Sequence, residues 1–533
     1  MANEPLKPPA GGKPLGAPKL IPAHQPATGD AIPLAAGPAA NPTLNMGARK
    51  PGAVPLRPLG AGNAAGLPAG LKEPRLVSLD AFRGFVMLMM ASSGFALAQV
   101  ANRLRAAGTS EDSTEFKIVR TLADQFSHAV WQGGVFWDLI QPAFMFMVGV
   151  ALPYSYGKRL ARGDSYISRL LHTLARCVLL VAIGVFLANP TGSKEQPYTV
   201  FTFANVLCQI GLGYFFVFLF VNRGLWLQVA AIAAVLGGTW YAFFQHPLPP
   251  EDFDYASVGV PRTVKVKENG VEKEVPNPEF EQVILPGLKG HWSKNVNFAS
   301  DVDRDLLNRF PRTQAPPRRD GETDDAYASR VEENRKQYEF QFNSGGYATL
   351  NFVPSIATML LGLIIGELLR RLDKSSGDKL IAMLLGGAVC LAVGVALHFT
   401  VCPIVKRIWT PSWALASGGL VIWMLALFYL VIDHFGWRRI AWPLAVVGMN
   451  SLLVYLMAQL LKGWTLKAIY THLTIPYAKL AGWLAEATGK PISRELLGGA
   501  SNPYQPLYET LAVLFVFWLV CVWLYRQRLF VRL

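Results

Sequence analysis

The chain has 533 residues, of which 52% are hydrophobic and only 16% charged, and its formal net charge is +14. Repeated apolar runs, each about the 20 residues a helix needs to cross a hydrocarbon core, exclude an ordinary soluble fold. The positive balance does not point to nucleic acid. His246 to Gly346 carries 18 acids against 14 bases, so the surplus sits in short connections and tails, the pattern of topology determinants.

Residues 1–70 contain 14 prolines and 11 glycines and bury too little apolar surface to offset chain entropy. They read as a disordered cytoplasmic tail, without the continuous apolar region of a cleaved signal peptide. From residue 71 the pattern predicts an all-α bundle of about ten spans, near 76–100, 134–157, 168–189, 199–221, 225–244, 348–369, 379–402, 411–433, 441–463 and 507–526. Spans one to five occupy 71–244, a large extracytoplasmic loop 245–347, and spans six to ten 348–533. Within the loop only Asp320 to Phe340 shows a helical pattern, and Thr465 to Gly489 reads as an interfacial helix before the last span.

Clusters of Lys and Arg after spans two, four, six and eight and at the C-terminus fall on one side, which places both termini in the cytoplasm and the protein in the cell membrane. Lys158, Arg159, Arg162 and Arg169 form the first of these clusters. Lys406 and Arg407, after span seven, are exceptions that face outward. The cysteines Cys177, Cys208, Cys390, Cys402 and Cys521 all lie in or beside apolar segments. They read as small buried hydrophobes, and no metal-ligand spacing accompanies them.

Four segments carry residues suited to chemistry. At the start of span one, Asp80 and Arg83 are three apart on one helical face. They make either a capping pair or an anchor for an anion, and spacing leaves both readings open. Around the outer end of span two lie His128, Trp131, Asp138 and Gln141. A lone interfacial histidine is commonly structural, but an ionisable Asp138 in the following span raises the functional reading. Polar residues in spans four and nine, Asn205, Gln209 and Asn450 among them, are explained by interhelical hydrogen bonds or by a cavity lining. Lys406, Arg407, Trp409, Ser412 and Trp413 pack two cations, two indoles and a hydroxyl at an outer boundary, where interface anchoring explains the tryptophans better than the cations.

Together these segments resemble the heparan-alpha-glucosaminide N-acetyltransferase family and its bacterial relatives, which are multi-pass membrane acetyltransferases. The matching stretches are SLDAFRGFVMLMM (78–90), HAVWQGGVFWDLIQPAFMFMVGVAL (128–152), NFVPSIATMLLGLIIGELL (351–369), KRIWTPSWALASGG (406–419) and PLAVVGMNSLLVY (443–455), in the family's order. The resemblance implies transfer of an acetyl group from cytoplasmic acetyl-CoA to an amino sugar or glycan across the bilayer, without a metal. It places the catalytic histidine of a His-x-x-Trp-x-Gly motif on His128, with Trp131 and Gly133 completing the pattern. Departures are Gly94 where the family has Asn late in span one, the loss of an Arg in Leu207-Cys208-Gln209-Ile210, and the large loop before span six.

On this reading His128 acts as general base or acyl-accepting nucleophile, with Asp138 orienting it. Asp80, Arg83, Lys158 and Arg159 would receive the CoA phosphates. Trp131, Lys406, Arg407, Trp409, Ser412 and Asn450 would contact the acceptor or stabilise the oxyanion. The expected partners are the bilayer, acetyl-CoA and a glycan, and a homodimer is left open. The competing reading is a transporter or non-catalytic membrane component, against which stands the lack of an internal repeat among the spans.

Overall fold

The computed structural model describes residues 76–189, 199–268, 271–310, 313, 315–491 and 493–531. The stretch expected as a tail, 1–70, lies outside them. In chain order the first half comprises α1 (Val77–Ser92), α2 (Leu97–Ala106), α3 (Thr114–Gln125), α4 (Ile140–Ala161), α5 (Tyr166–Ala188), α6 (Val206–Leu219) and α7 (Leu225–Gln245). An insertion follows, with β1 (Thr263–Glu268), β2 (Val271–Pro276), α8 (Phe280–Val283), α9 (Phe298–Leu307) and α10 (Asp324–Gln337). The second half is α11 (Phe352–Arg370), α12 (Ser376–Thr400), α13 (Pro411–Tyr429), α14 (Arg438–Gly448), α15 (Ser451–Leu460), α16 (Lys462–Thr488) and α17 (Gln505–Arg526).

Among the described residues, eight helices are long and apolar enough to cross a membrane, and a bent pair makes up to nine. The ten expected spans differ from this in two places. The fourth is the 14-residue α6, shortened because Asn205 ends an extended stretch and accepts the Cys208 N–H at 3.1 Å as an N-cap. The ninth breaks at Met449–Asn450 into α14 and α15, bent by 58°. The interfacial helix is longer than expected, running unbroken through Pro476 as α16.

Glycines set the packing at the centre. A Cβ at Gly149 of α4 would overlap the Met359 carbonyl of α11, and one at Gly362 would overlap the Phe146 carbonyl. The same backbone contact joins α1 to α14, where Gly84 meets Leu444 and Gly448 meets Asp80. Small residues let helices approach where lipid removes the hydrophobic drive to associate. Helices α5, α7 and α12 form the periphery and leave Val178, Leu227 and Val389 exposed, as a lipid-facing surface requires.

The insertion is a folded unit, and its antiparallel hairpin β1–β2 departs from a purely α chain. Of its helices, α10, capped by Thr323, falls where the sequence predicts one, whereas α8 and α9 lie outside any predicted helix. Its own apolar residues, Val260, Val283, Leu285, Trp292 and Ala299, share one core with Trp131, Cys402, Val405 and Ile408. The insertion therefore packs directly on the two segments that carry the candidate chemistry.

Candidate active site

Two loops at one end of the bundle meet edge to edge. After α3 the chain runs through His128 to Gly133, whose N–H donates to the Ile404 carbonyl at 2.9 Å, and Gln132 and Gly133 bridge to Val405. A short 3-10 turn, Phe136–Leu139, then leads into α4 and carries Asp138 inward. The facing loop, 401–410, is held tight by Thr410, which caps α13 and bonds Val405 from both sides. That turn aims Lys406 at Asp138.

Asp138 is the hub. Its Oδ1 accepts from His128 Nδ1 at 2.7 Å and from Lys406 Nζ at 3.0 Å. Its Oδ2 accepts the N–H groups of Ala129 at 3.2 Å and Val135 at 3.3 Å. The carboxylate side chain is 1% exposed and that of Lys406 7%, whereas His128 is 44% exposed. An ionised carboxylate only accepts, so the bond to it assigns the proton to Nδ1 and leaves the lone pair on Nε2. Burial lowers the Lys406 ammonium from its usual range, with Asp138 acting in the opposite sense.

The arrangement suits proton removal or acyl acceptance at Nε2. Asp138 fixes the tautomer and offsets positive charge that develops on the ring, the division of labour of histidine–carboxylate pairs in acyl transfer. The Lys406 ammonium, 3.1 Å from Nδ1, balances Asp138 while the ring is neutral.

The remaining expected acceptor residues are placed differently. Trp131 is buried and donates its indole N–H to the Trp292 carbonyl at 2.9 Å, which ties the insertion to the histidine loop. Trp409, also buried, donates to Thr358 Oγ1 at 3.2 Å, and Ser412 donates to the Pro403 carbonyl at 2.7 Å. Each has its polar atom bonded within the protein and builds the frame. Arg407 clasps the Gly345 carbonyl at 2.8 Å and the Ala129 carbonyl at 3.2 Å. Asn450 is not at this site. It sits at the α14–α15 break, where its amide oxygen accepts the Val531 N–H at 2.8 Å beyond the end of α17.

The expected donor residues gather at the opposite end of the bundle, where α4 ends and α1 begins. Asp80 and Arg83 approach to 3.9 Å, and Arg159 pairs with Asp164 at 3.3 Å beside Lys158. The charge pattern understated Arg169, which is buried with its guanidinium 4.5 Å from the Tyr156 ring. Farther along α5, Arg176 donates to the Tyr214 hydroxyl at 2.6 Å.

Gly94 has a local explanation. Its φ is +69°, within a left-handed turn that includes Ser93, Phe95 and Ala96, and a Cβ there would overlap the Phe126 carbonyl. Asparagine tolerates a left-handed φ, so the contact with the Phe126 carbonyl is what disfavours a side chain here.

These features define a multi-span helical membrane protein in which a buried aspartate–lysine pair holds a half-exposed histidine. No family model matches the sequence. Over 430 residues, 75% of the chain, it is 24% identical to human heparan-alpha-glucosaminide N-acetyltransferase. The match covers 56% of that protein, so the chain spans about half its length. Such identity supports a distant relationship to an N-acetyltransferase.

Proposed function

We propose that the chain is a membrane acetyltransferase that takes an acetyl group from acetyl-CoA and delivers it to an amino sugar or glycan, with His128 at the reacting centre. The observation that carries this reading is the His128–Asp138–Lys406 constellation. The distant similarity to an N-acetyltransferase gives the direction of the chemistry. In the step proposed, the acceptor amine attacks the thioester carbonyl while Nε2 of His128 removes the amine proton. The C–S bond then breaks and the CoA thiolate takes a proton. A variant of this course passes the acetyl group through Nε2 itself. Lys158, Arg159 and Arg169 are the cations proposed to hold the donor's phosphates, which puts the donor's entry at the end opposite His128.

In this reading the His128 end faces away from the cytoplasm and both termini face it, consistent with the side on which the short basic connections fall. The test is acetyl transfer by detergent-purified protein supplied with acetyl-CoA and glucosamine. His128→Ala is expected to lower turnover by roughly 10²–10⁴-fold with an unchanged unfolding midpoint. Turnover near wild type in that variant removes His128 from the mechanism.

A further inference from the structure

Helix α16 joins the broken span α14–α15 to α17 at the end of the bundle that carries His128. Lys462, its first residue, donates to Ser93 Oγ at 2.8 Å beside the Gly94 turn, and the Tyr470 hydroxyl donates to Glu509 of α17 at 2.6 Å. Beyond Tyr470 the bundle no longer covers the helix. Residues 471–476 are all exposed, Leu473 and Ile475 among them, and Leu480 and Trp483 are exposed farther along. A helix that bares such residues between two membrane-crossing segments is covered by lipid or by another protein.

The second half of α16 borders a groove of about 530 Å³, within the ~300–1,000 Å³ of small-ligand sites. Ile475, Lys479, Trp483 and Glu486 line it from one face of the helix, three or four residues apart. Arg494, beyond the end of α16, closes it over Gly482, where a Cβ would stand 3.5 Å from the arginine Nε and Nη2. Among the described residues the side chains of Lys479, Glu486 and Arg494 make no hydrogen bond or ion pair. The groove thus sets two cations against one carboxylate, and from Lys462 to Glu495 four lysines and an arginine face two glutamates.

Lys479 and Arg494 offer charged donors of the kind that bind phosphate oxygens, and Ile475, Leu480 and Trp483 offer apolar contact beside them. A phospholipid satisfies both demands at once. Trp464 and Trp483, near the two ends of α16, are the residue type enriched at headgroup level. A second copy of the chain is the poorer occupant, because a two-fold contact sets the patch against itself and brings the same cations together.

We propose that the groove formed by α16 and Arg494 holds the phosphate of an anionic phospholipid, whose acyl chain lies along the exposed apolar residues of α16. The site is independent of the acetyltransferase reading. It ties the connection between the last two spans to the membrane surface at the His128 end.

The test compares full-length protein in nanodiscs of phosphatidylcholine alone and of phosphatidylcholine with phosphatidylglycerol. Amide hydrogen exchange over 471–488 is expected to be slower with phosphatidylglycerol. Native mass spectrometry from detergent then measures retained phosphatidylglycerol. Lys479→Gln and Arg494→Gln are each expected to weaken retention about fivefold, and together about thirtyfold, with Lys479→Arg restoring it. Both residues are exposed, so these variants are expected to keep the wild-type unfolding midpoint.

Equal exchange in the two lipids, or wild-type retention in the double variant, overturns the site. Lys467→Gln, on α16 outside the groove, is expected to leave retention unchanged, and a loss equal to that of Lys479→Gln reduces the effect to diffuse attraction and overturns the site as well. Displacement of the lipid by glycerol 3-phosphate at equal concentration makes the groove a soluble-phosphate site. A dimer mass without bound lipid assigns the face to a second copy. Either result overturns the proposal.

Discussion

Lys406 Nζ lies 3.0 Å from Asp138 Oδ1, the same oxygen that holds His128. Both partners are almost wholly buried, so removing one strands the other charge. Asp138→Asn is expected to destabilise the protein by about 3–5 kcal/mol and to cut transfer by roughly 10²–10⁴-fold through loss of the tautomer and orientation of His128. Paired thermal unfolding and turnover measurements check this. The double variant Asp138→Asn/Lys406→Met is expected to recover stability without recovering turnover. Recovery of both shows that the pair acts only in folding.

The bond from the Trp131 indole to the Trp292 carbonyl predicts that the insertion loosens when it is lost. Trp131→Phe keeps most of the packing and leaves a buried carbonyl unsatisfied, at a cost of about 1–3 kcal/mol. Limited proteolysis is expected to cut within 246–346 faster in this variant than in the wild type. An unchanged cleavage rate means that apolar packing alone anchors the insertion.

Gly94 and Gly108 share a positive φ, at +69° and +79°, but only Gly94 faces backbone, the Phe126 carbonyl. Alanine at Gly108 is expected to cost only the left-handed conformation, about 1–2 kcal/mol, with no effect on turnover. At Gly94 alanine adds a collision two residues before His128. That variant is expected to lose more stability and to lower turnover as well. Equal behaviour of the two variants in unfolding and activity assays excludes the collision.

Asp303 in α9 is 3% exposed and accepts the Thr349 N–H through both oxygens, at 3.0 and 3.1 Å, just ahead of α11. Burial pushes its carboxyl up to about 6 from 3.8, partly opposed by the Thr349 bonds. The folded protein therefore binds this proton more tightly than the unfolded chain. The contribution favours folding fully below pH 3.8, is lost as pH rises to about 6, and amounts to about 3 kcal/mol. In a difference profile of unfolding midpoint against pH, wild type minus Asp303→Asn is expected to fall across that window. A flat difference excludes a raised carboxyl at this position.

Much of the bundle was legible because a helix that crosses lipid must be long, apolar and internally hydrogen-bonded, and those demands are written in consecutive residues. The shortened fourth span and the broken ninth mark the limit of that logic. Hydropathy registers the apolar run over 199–221 and over 441–463. It does not register that Asn205 caps a later helix start, or that the chain turns at Met449–Asn450, where Asn450 bonds the segment beyond α17.

The site divides in the same way. His128 and Asp138 are ten residues apart, so a motif exposes them together, and Lys406 and Arg407 stood out as cations misplaced for topology. Trp292, whose carbonyl holds the Trp131 indole, gave no such signal within the insertion. Nor did local pattern distinguish residues with free polar groups from Trp131, Trp409 and Ser412, whose polar atoms are bonded within the frame.

By itself the sequence determined the membrane class, most of the long apolar helices and the candidate histidine, because hydrophobic length and short-range spacing are local properties. Only the tertiary structure decided which charges meet. Lys406 reaches His128 across 278 residues of chain, and Trp292 of the insertion holds the Trp131 indole across 161. Such pairings depend on the close approach of glycine-bearing helices and on the core that the insertion shares with two loops. They follow from packing in three dimensions, which no single stretch of sequence encodes.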